Sequence, residues 1–479
     1  MDSKRVINNS IALLMVDIGG KILPLITFPW IVRALGPTTY GKIGFALAVT
    51  GFFGLLASPG FTAFGVREAA RGLEAPRTLT QKLMSARMLL ALCSYTLLVV
   101  FTFTLAPRDW MTRALLLIAG TNFIVSAFDV QWLFIGHSRM WRVSYASIAG
   151  QVIYAVVILG FVRRPGDAWL VPVATSSSLM VSAVLLLHRA RRDFDIGPPK
   201  FVPEEWAKFL PICAMLGVAS MMSMIYDQID TIMLRYLRSE AEVGIYAASY
   251  RLMNISMSFL PVLAQVFYPL FSGEAVRGAK NDRRYAQWMA DASIALALPI
   301  ATGGFLLATP ISRFVLGARY GGSENLLRWL MLNLISASMA VLFGSRLVPQ
   351  ARERQYLVSV AAGGVANVAL NFYFIPKYGA IAAVFTTIAA QSVVAVMAYY
   401  FGRDLLHADF KRPFAVSIPS SLLMAAAIFT AERVAHLHVL LLVGGGALVY
   451  GLCFLAAQAI WRKLVPVAPA QAIAAGSGE

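Results

Sequence analysis

The sequence predicts an all-α polytopic membrane protein with about fourteen transmembrane helices. Of its 479 residues, 58% are hydrophobic and only 14% are charged, and the mean hydropathy is +0.69. Soluble domains are about half apolar and about a quarter charged. Apolar stretches of about 20 residues, the length that spans a bilayer, also recur along the whole chain.

Fourteen stretches are predicted to span the membrane, and the connections between them are short. Their bounds are 8–33, 40–65, 82–106, 111–135, 143–162, 168–188, 207–236, 243–271, 286–308, 325–348, 355–375, 379–401, 413–431 and 438–461. Asp129 weakens the fourth span, and Asp227 and Asp230 weaken the seventh. The longest connection, 189–206, is charged and rich in proline.

Two weak internal repeats divide the chain into halves. Residues 136–152 align with 351–367, and residues 32–46 align more loosely with 234–248. We therefore predict an N-terminal six-helix lobe (1–190), a cytoplasmic linker (191–206), a C-terminal six-helix lobe (207–402), an extra helix pair (403–463) and a disordered tail (464–479). Parallel repeats of this kind build some transporters, with the substrate site between the halves.

The net charge of +17 predicts orientation in the membrane rather than nucleic-acid binding. Lys and Arg collect in cytoplasmic loops. With a cytoplasmic N-terminus, four basic stretches fall on the cytoplasmic side: 67–87, 189–208, 277–284 and 403–412. All four stretches lie on the same side only if the number of spans between them is even. This supports the fourteen-span prediction, which places both termini in the cytoplasm.

No catalytic residue, metal or cofactor is predicted. Cys93, Cys213 and Cys453 are far apart, and none of the five His residues has a His or Cys partner at metal-ligand spacing. The chain also has no phosphate-binding Walker A motif, so the sequence predicts no ATP-driven engine.

The first span contains a pair of opposite charges in VDIGGKILPLITFPW (16–30). Asp17 and Lys21 are four residues apart, so they can neutralise each other on one helix face. Alternatively, Lys21 faces a central cavity and Asp17 adjusts its charge. Gly19, Gly20 and Pro24 are candidate hinge residues, since proline and glycine permit helix bending.

The seventh span contains Asp227 and Asp230, three residues apart on one predicted face. They either form a structural salt-bridge network with Arg235 and Arg251, or couple transport to a proton or cation, or bind a sugar. A single DxxD pair also resembles the motif that holds Mg²⁺ and pyrophosphate in prenyl-transfer enzymes. No second acidic motif supports that interpretation.

Two further charges lie near predicted helix ends. Arg67, followed by Glu68, either extends its side chain to the interface or lines the cytoplasmic mouth. Asp129 and Gln131 lie in the fourth span near its inner end.

Five stretches together resemble one family. They are NNSIALLMVDIGGKILPLITFPWIVRALGPTTYGKIGFA, FGVREAAR, FDVQWLFIGHSRM, DTIMLRYLRSEAEVGIYAASYRL and YGAIAAVFTTIAAQ. They resemble bacterial polysaccharide (O-antigen, Wzx-type) flippases of the multidrug/oligosaccharidyl-lipid/polysaccharide exporter superfamily. The chain departs from the family pattern at Ile135, where Gln is common, and at Arg238-Ser239, where Gly-Pro is common.

The resemblance implies two six-helix lobes around a cationic cavity in the bacterial inner membrane. The implied substrate is a polyprenyl-pyrophosphate-linked oligosaccharide, turned from the inner to the outer leaflet for lipopolysaccharide or other surface polysaccharide. Implied partners are membrane lipid and a polysaccharide polymerase with its chain-length machinery. The candidate cavity cations are Lys21, Arg251 and Arg67, and the candidate coupling or charge-modulating residues are Asp17, Asp227, Asp230 and Asp129.

Three alternatives remain. A drug exporter of the same superfamily would favour an acidic cavity, whereas Lys21 and Arg251 favour an anion. A peptidoglycan-precursor flippase has the same number of helices. A carrier-lipid polymerase, ligase or glycosyltransferase is disfavoured, because such enzymes need a sizeable outer loop and the longest one here carries only 313–328.

Overall fold

The computed structural model describes the backbone of residues 3–277, 282–405, 408–435 and 437–464. Side chains are described from Leu23 onward, except at 219–220, 223, 226, 269, 272–282, 406–407, 435–436 and 462–479. The predicted disordered tail therefore lies outside the described side chains. Over the described residues the regular structure is helical, without a β-strand.

Seventeen α-helices, α1 to α17 in chain order, cover most of the described backbone. Their bounds are Ser3–Ala57, Phe61–Arg71, Pro76–Thr104, Trp110–Ala127, Gln131–Gly136, Met140–Phe161, Leu170–Phe194, Pro203–Leu237, Glu240–Ser256, Phe259–Arg277, Asp282–Leu306, Ala308–Val315, Ser323–Leu347, Glu353–Tyr378, Ala380–Gly402, Lys411–Ala435 and Val439–Leu464. Short 3-10 turns occur at Pro165–Asp167 and Ala318–Tyr320.

The predicted all-α polytopic fold is confirmed, and each predicted span coincides with a helix or a pair of helices. Eleven stretches of the described chain are long and apolar enough to cross a membrane, by length and composition alone. The count of fourteen stays a prediction. Three predicted spans are interrupted: 40–65 at residues 58–60, 111–135 at 128–130, and 243–271 at 257–258.

The helix α1 runs through the predicted first turn and bends at Gly36. Gly36 has φ 74° and ψ 169°, whereas the flanking backbone is helical. A positive φ costs glycine little, because it has no Cβ. Pro37 follows and offers no N–H to continue the hydrogen-bond ladder. The chain therefore passes from the first predicted span into the second by a bend rather than a loop.

The break between α4 and α5 is built around Asp129. Its Oδ1 accepts a hydrogen bond from the backbone N–H of Gln131 at 2.9 Å, which begins α5. Arg87, buried in α3, donates from Nη1 to the main-chain oxygen of Asp129 at 2.7 Å. A carbonyl without a helical partner is costly in an apolar environment, so this contact stabilises the interruption.

The chain divides into two compact units. Unit 1 consists of Met1–Ala248, Leu316–Gly321 and Asn367–Ala383, and unit 2 of Ser249–Val315, Gly322–Ala366 and Val384–Glu479. Unit 1 is thus discontinuous, with two short segments from the second half of the sequence. The lobes 1–190 and 207–402 are based on sequence repeats, whereas the two units are based on spatial contacts. The lobes stay a prediction.

Each unit has its own apolar core. In unit 1, one cluster includes Phe45, Leu98 and Leu115, and a second surrounds Trp132 and Phe134 of α5. In unit 2, a cluster includes Phe271, Met289 and Leu342. Close packing rather than water exclusion holds helices together in lipid, which favours small residues at their contacts.

Candidate functional site

Four of the predicted site residues lie outside the described side chains: Asp17, Gly19, Gly20 and Lys21. Their roles as charge pair, cavity cation and hinge stay predictions. Pro24 is described and lies within the helical part of α1. The non-helical dihedral angles inside α1 belong to Gly36.

Asp230 is the buried centre of a polar cluster in unit 1, with 1% of its surface exposed. The hydroxyl of Tyr246 donates a hydrogen bond to its Oδ2 at 2.7 Å. The side-chain amide of Asn371 donates to Oδ1, and also to Asn367 Oδ1 at 2.9 Å. The three helices α8, α9 and α14 thus converge on one carboxylate. Donors aimed at a carboxylate favour its charged form, which offsets part of the cost of burial.

Asp227 is exposed, although it lies only three residues before Asp230 on α8. Three residues correspond to about 300° of helical rotation, so the two side chains leave the helix about 60° apart. This difference in direction is enough to place Asp230 in the protein interior and Asp227 on the protein surface. Asp227 lies ten residues before the helix end at Leu237, about 15 Å along the axis. An exposed charge at such depth is stable only where water reaches it.

Arg251 belongs to unit 2 and is exposed on α9, eleven residues after the helix begins. Arg235, which the sequence suggested as a partner for the aspartates of α8, pairs instead with Glu240. The distance from Arg235 Nη2 to Glu240 Oε1 is 2.6 Å.

Arg67 lies near the end of α2 and is partly exposed. Its Nε is 3.0 Å from Glu68 Oε1, and its guanidinium lies 5.2 Å from the ring centroid of Phe64. Arg71 lies 3.3 Å from the same carboxylate oxygen. Two arginines therefore share one carboxylate, which leaves net positive charge at this helix end.

An ionic cluster of four residues joins three turns of unit 1: Lys42, Asp109, Arg235 and Glu240. Lys42 Nζ is 2.8 Å from Asp109 Oδ1 and 3.4 Å from Glu240 Oε2. Asp109 also caps α4, since it accepts from the backbone N–H of Met111 and Thr112 at 3.2 Å each. Glu240 completes the cluster by pairing with Arg235.

Two hydrogen bonds attach the segment Asn367–Ala383 to the same region of unit 1. Glu242 Oε1 accepts from the backbone N–H of Ala380 at 2.6 Å, at the start of α15. Arg238 Nε donates to the carbonyl oxygen of Ile375 at 3.1 Å. The end of α14 is thereby held to the turn between α8 and α9.

The backbones of α1 and α9 touch at Gly41 and Gly244. A Cβ added at Gly41 would lie 2.9 Å from Gly244 N, and one added at Gly244 would lie 2.7 Å from the carbonyl carbon of Pro37. No larger residue fits at this crossing without moving a helix. The two glycines lie in segments 32–46 and 234–248, which align as a weak repeat in the sequence.

Sequence reasoning missed most of these contacts. Asn367 and Asn371 carried a usable signal, because two amides four residues apart in an apolar span share a helix face. Lys42, Asp109 and Glu240 lie at predicted helix ends, where charges are common. Their pairing depends on the fold and has no sequence signal.

The comparisons with known proteins agree on family and fold. The model of the polysaccharide biosynthesis protein family matches residues 6–273. A protein of Escherichia coli (strain K12) described as "Putative O-antigen transporter" is 20% identical over 403 residues, covering 83% of this chain and 96% of that protein.

Among solved structures, the lipid II flippase MurJ in an inward closed conformation superposes with a TM-score of 0.69 at 15% identity, covering 95% of this chain and 99% of the other. An inward-facing multidrug resistance MATE transporter of the MOP superfamily gives a TM-score of 0.63 at 15% identity, covering 83% and 98%. Because the family model spans more than half of its length and the fold matches throughout, this chain belongs to the polysaccharide biosynthesis protein family and has the fold of the MOP superfamily.

Proposed function

We propose that this protein moves a polyprenyl-pyrophosphate-linked oligosaccharide from the inner to the outer leaflet of the bacterial inner membrane by alternating access. Family membership and the O-antigen transporter relative support this substrate class. The observation that carries the proposal is Arg251, an exposed cation eleven residues after the start of α9. A cation at such a position suits an anionic substrate better than a cationic drug.

The physical task explains why cations are needed. A pyrophosphate with its glycan cannot cross about 30 Å of hydrocarbon without losing its hydration, which is prohibitively costly. A wet path lined by Lys21, Arg251 and Arg67 would balance the phosphate charge while the polyprenyl chain stays in the bilayer. Gly19, Gly20 and Pro24 would let the first helix bend during the cycle.

The ionic cluster and the Gly41–Gly244 crossing would form the outer closure of this path. The positive-inside rule places the turns that contain them on the far side of the membrane from the basic stretches. Release of the substrate to the outer leaflet would then require these contacts to separate. Partly buried ion pairs suit this purpose, because the cost of removing the charges from water offsets much of their mutual attraction.

Asp230 would couple the cycle to a proton or another cation, with Asp17, Asp227 and Asp129 adjusting the local charge. Neutralising Asp230 would weaken its hydrogen bonds with Tyr246 and Asn371, which join α8, α9 and α14. A change in one carboxylate would thus alter the packing of three helices.

The direct test is complementation of a deletion strain with Lys21→Ala and Arg251→Ala. Both variants should reduce surface polysaccharide at normal protein level, and lipid-linked oligosaccharide should accumulate on the inner leaflet. Arg354→Ala is the matched control, since Arg354 is also an exposed arginine of unit 2 but lies in the first turn of α14. Full surface polysaccharide in both variants would refute the proposed cations. A normal distribution of lipid-linked oligosaccharide between the two leaflets in the deletion strain would refute the flippase function itself. It would also remove the reason to expect a polymerase and chain-length machinery as partners.

A further inference from the structure

A cluster of arginines marks one end of the helical hairpin formed by α6 and α7 in unit 1. Arg139 immediately precedes α6, and its Nη1 lies 3.2 Å from Asp193 Oδ2 near the end of α7. Arg142 pairs with the same carboxylate. Arg139 and Arg189 both repel the Arg142 guanidinium electrostatically. Two arginines therefore share one aspartate, with Arg189 nearby, and the four side chains together carry an excess of two positive charges.

The arginines lie at the end of an exposed apolar stripe. On α6 the stripe contains Trp141, Tyr145, Ile148, Val152 and Val156. Their spacing of three or four residues places them on one helix face. Trp141 is 68% exposed and Tyr145 is 64% exposed. Large exposed Trp and Tyr residues at the end of a span are typical of the level of the lipid head groups.

The neighbouring helix α7 has an exposed face of its own. Met180 and Val184 are exposed on α7, and the same face reaches the exposed residues His188 and Arg191. The two helices are in intimate contact, because a Cβ added at Gly150 of α6 would lie 3.0 Å from Ser178 Oγ and still closer to the Ser178 carbonyl oxygen. On α6 the exposed surface runs from apolar side chains to the rings of Tyr145 and Trp141, at the end of the helix where Arg139 and Arg142 lie.

We propose that this end of the hairpin binds an anionic phospholipid of the cytoplasmic leaflet. The positive-inside rule assigns the segment that contains Arg189 to that leaflet. The excess positive charge suits a lipid with net negative charge rather than a zwitterionic one. The apolar stripe below the arginines accommodates acyl chains, which a free phosphate does not have. The site shares no residue with the ionic cluster or with the proposed transport path.

Binding of phosphatidylglycerol and phosphatidylcholine to the purified full-length protein, measured by native mass spectrometry, tests the proposal. The native protein should retain phosphatidylglycerol more tightly. Because each basic residue near an anionic surface contributes about fivefold, the double variant Arg139→Gln/Arg189→Gln should bind it about 25-fold more weakly. The matched control is Arg163→Gln/Arg164→Gln, which removes two arginines just beyond the opposite end of α6 and should leave this affinity unchanged.

Equal affinity for the two phospholipids in the native protein would overturn the proposal, and so would an equal loss in the control variant. The proposal would also be overturned if the double variant lost more affinity for a polyprenyl phosphate than for phosphatidylglycerol. The site would then be a carrier-lipid site. If the double variant melts early in phosphatidylcholine, Arg189→Gln alone gives the test, with an expected loss of about fivefold.

Discussion

The crossing of α1 and α9 makes a quantitative prediction about the Gly244→Ala variant. The added methyl group would lie 2.7 Å from the carbonyl carbon of Pro37. Carbon atoms in favourable contact lie about 3.5–4.0 Å apart, and the carbonyl oxygen of Pro37 is closer still, so the helices must separate by at least about 1 Å. Forcing an extra methyl group into a packed site costs about 1–3 kcal/mol. Since about 1.4 kcal/mol is a factor of ten, the arrangement in which α1 and α9 touch should lose between about fivefold and about 150-fold in population relative to one in which they are apart.

The assay is thiol labelling from outside the cell in a background in which Cys93, Cys213 and Cys453 are replaced by serine. A cysteine at Asn254, which is exposed on α9 one turn from Arg251, should react faster with a membrane-impermeant reagent in the Gly244→Ala protein. Gly451→Ala is the matched control, because a Cβ there would have no neighbour within 4 Å. Unchanged labelling and unchanged melting temperature in Gly244→Ala would refute the close contact itself.

Four further predictions concern unit 1. Asp230→Asn should abolish transport at normal protein level, and wild-type transport by this variant would exclude a coupling role. Tyr246→Phe should lower the free energy of unfolding by about 1–3 kcal/mol, because it removes one hydrogen-bond donor from the buried carboxylate of Asp230. Burial raises the pKa of Asp109, but hydrogen bonds led by the one from Lys42 outweigh it and hold that pKa below its ordinary value. A lowered folded-state pKa contributes stability above the unfolded-state pKa of about 4, and that contribution is lost as the pH falls through the folded-state value. Lys42→Gln should therefore melt below the native protein at pH 6, with a difference that shrinks below about pH 4; a constant difference would argue against the pair. Gly36→Ala should lower the melting temperature, because a backbone with φ 74° and ψ 169° costs an alanine about 1–3 kcal/mol, and an unchanged or higher value would contradict the bend.

Composition and periodicity were sufficient to predict the helical membrane fold, because the hydrocarbon core imposes one length and one polarity on every span. The same information could not locate the interruptions. Asp129 was recognised as a weakness in its span, but the contact that stabilises the break comes from Arg87, 42 residues earlier. Loss of a helical hydrogen bond is tolerated only where a partner is available, and that partner is fixed by tertiary structure.

The candidate site shows the same limit. Asp227 and Asp230 were predicted as one pair on one face, yet one is exposed and the other is buried. Helix geometry alone places the two side chains about 60° apart around α8. The positions of the neighbouring helices decide which of the two is buried. Asn371, a contact of Asp230, is 141 residues away in the chain and uncharged, so no charge pattern could indicate it.

The discontinuity of unit 1 has a consequence for biosynthesis. Its last segment, Asn367–Ala383, ends 135 residues after Ala248, so the ribosome must add those residues before the unit can be complete. At about 5–20 residues per second this takes roughly 7–27 s. During that interval the nascent chain holds Asp230 without Asn371, and Glu242 without the backbone N–H of Ala380. A nascent chain in which Asp230 has fewer hydrogen-bond donors than in the finished protein is less stable, and a slowly translated codon between 249 and 383 would prolong that state.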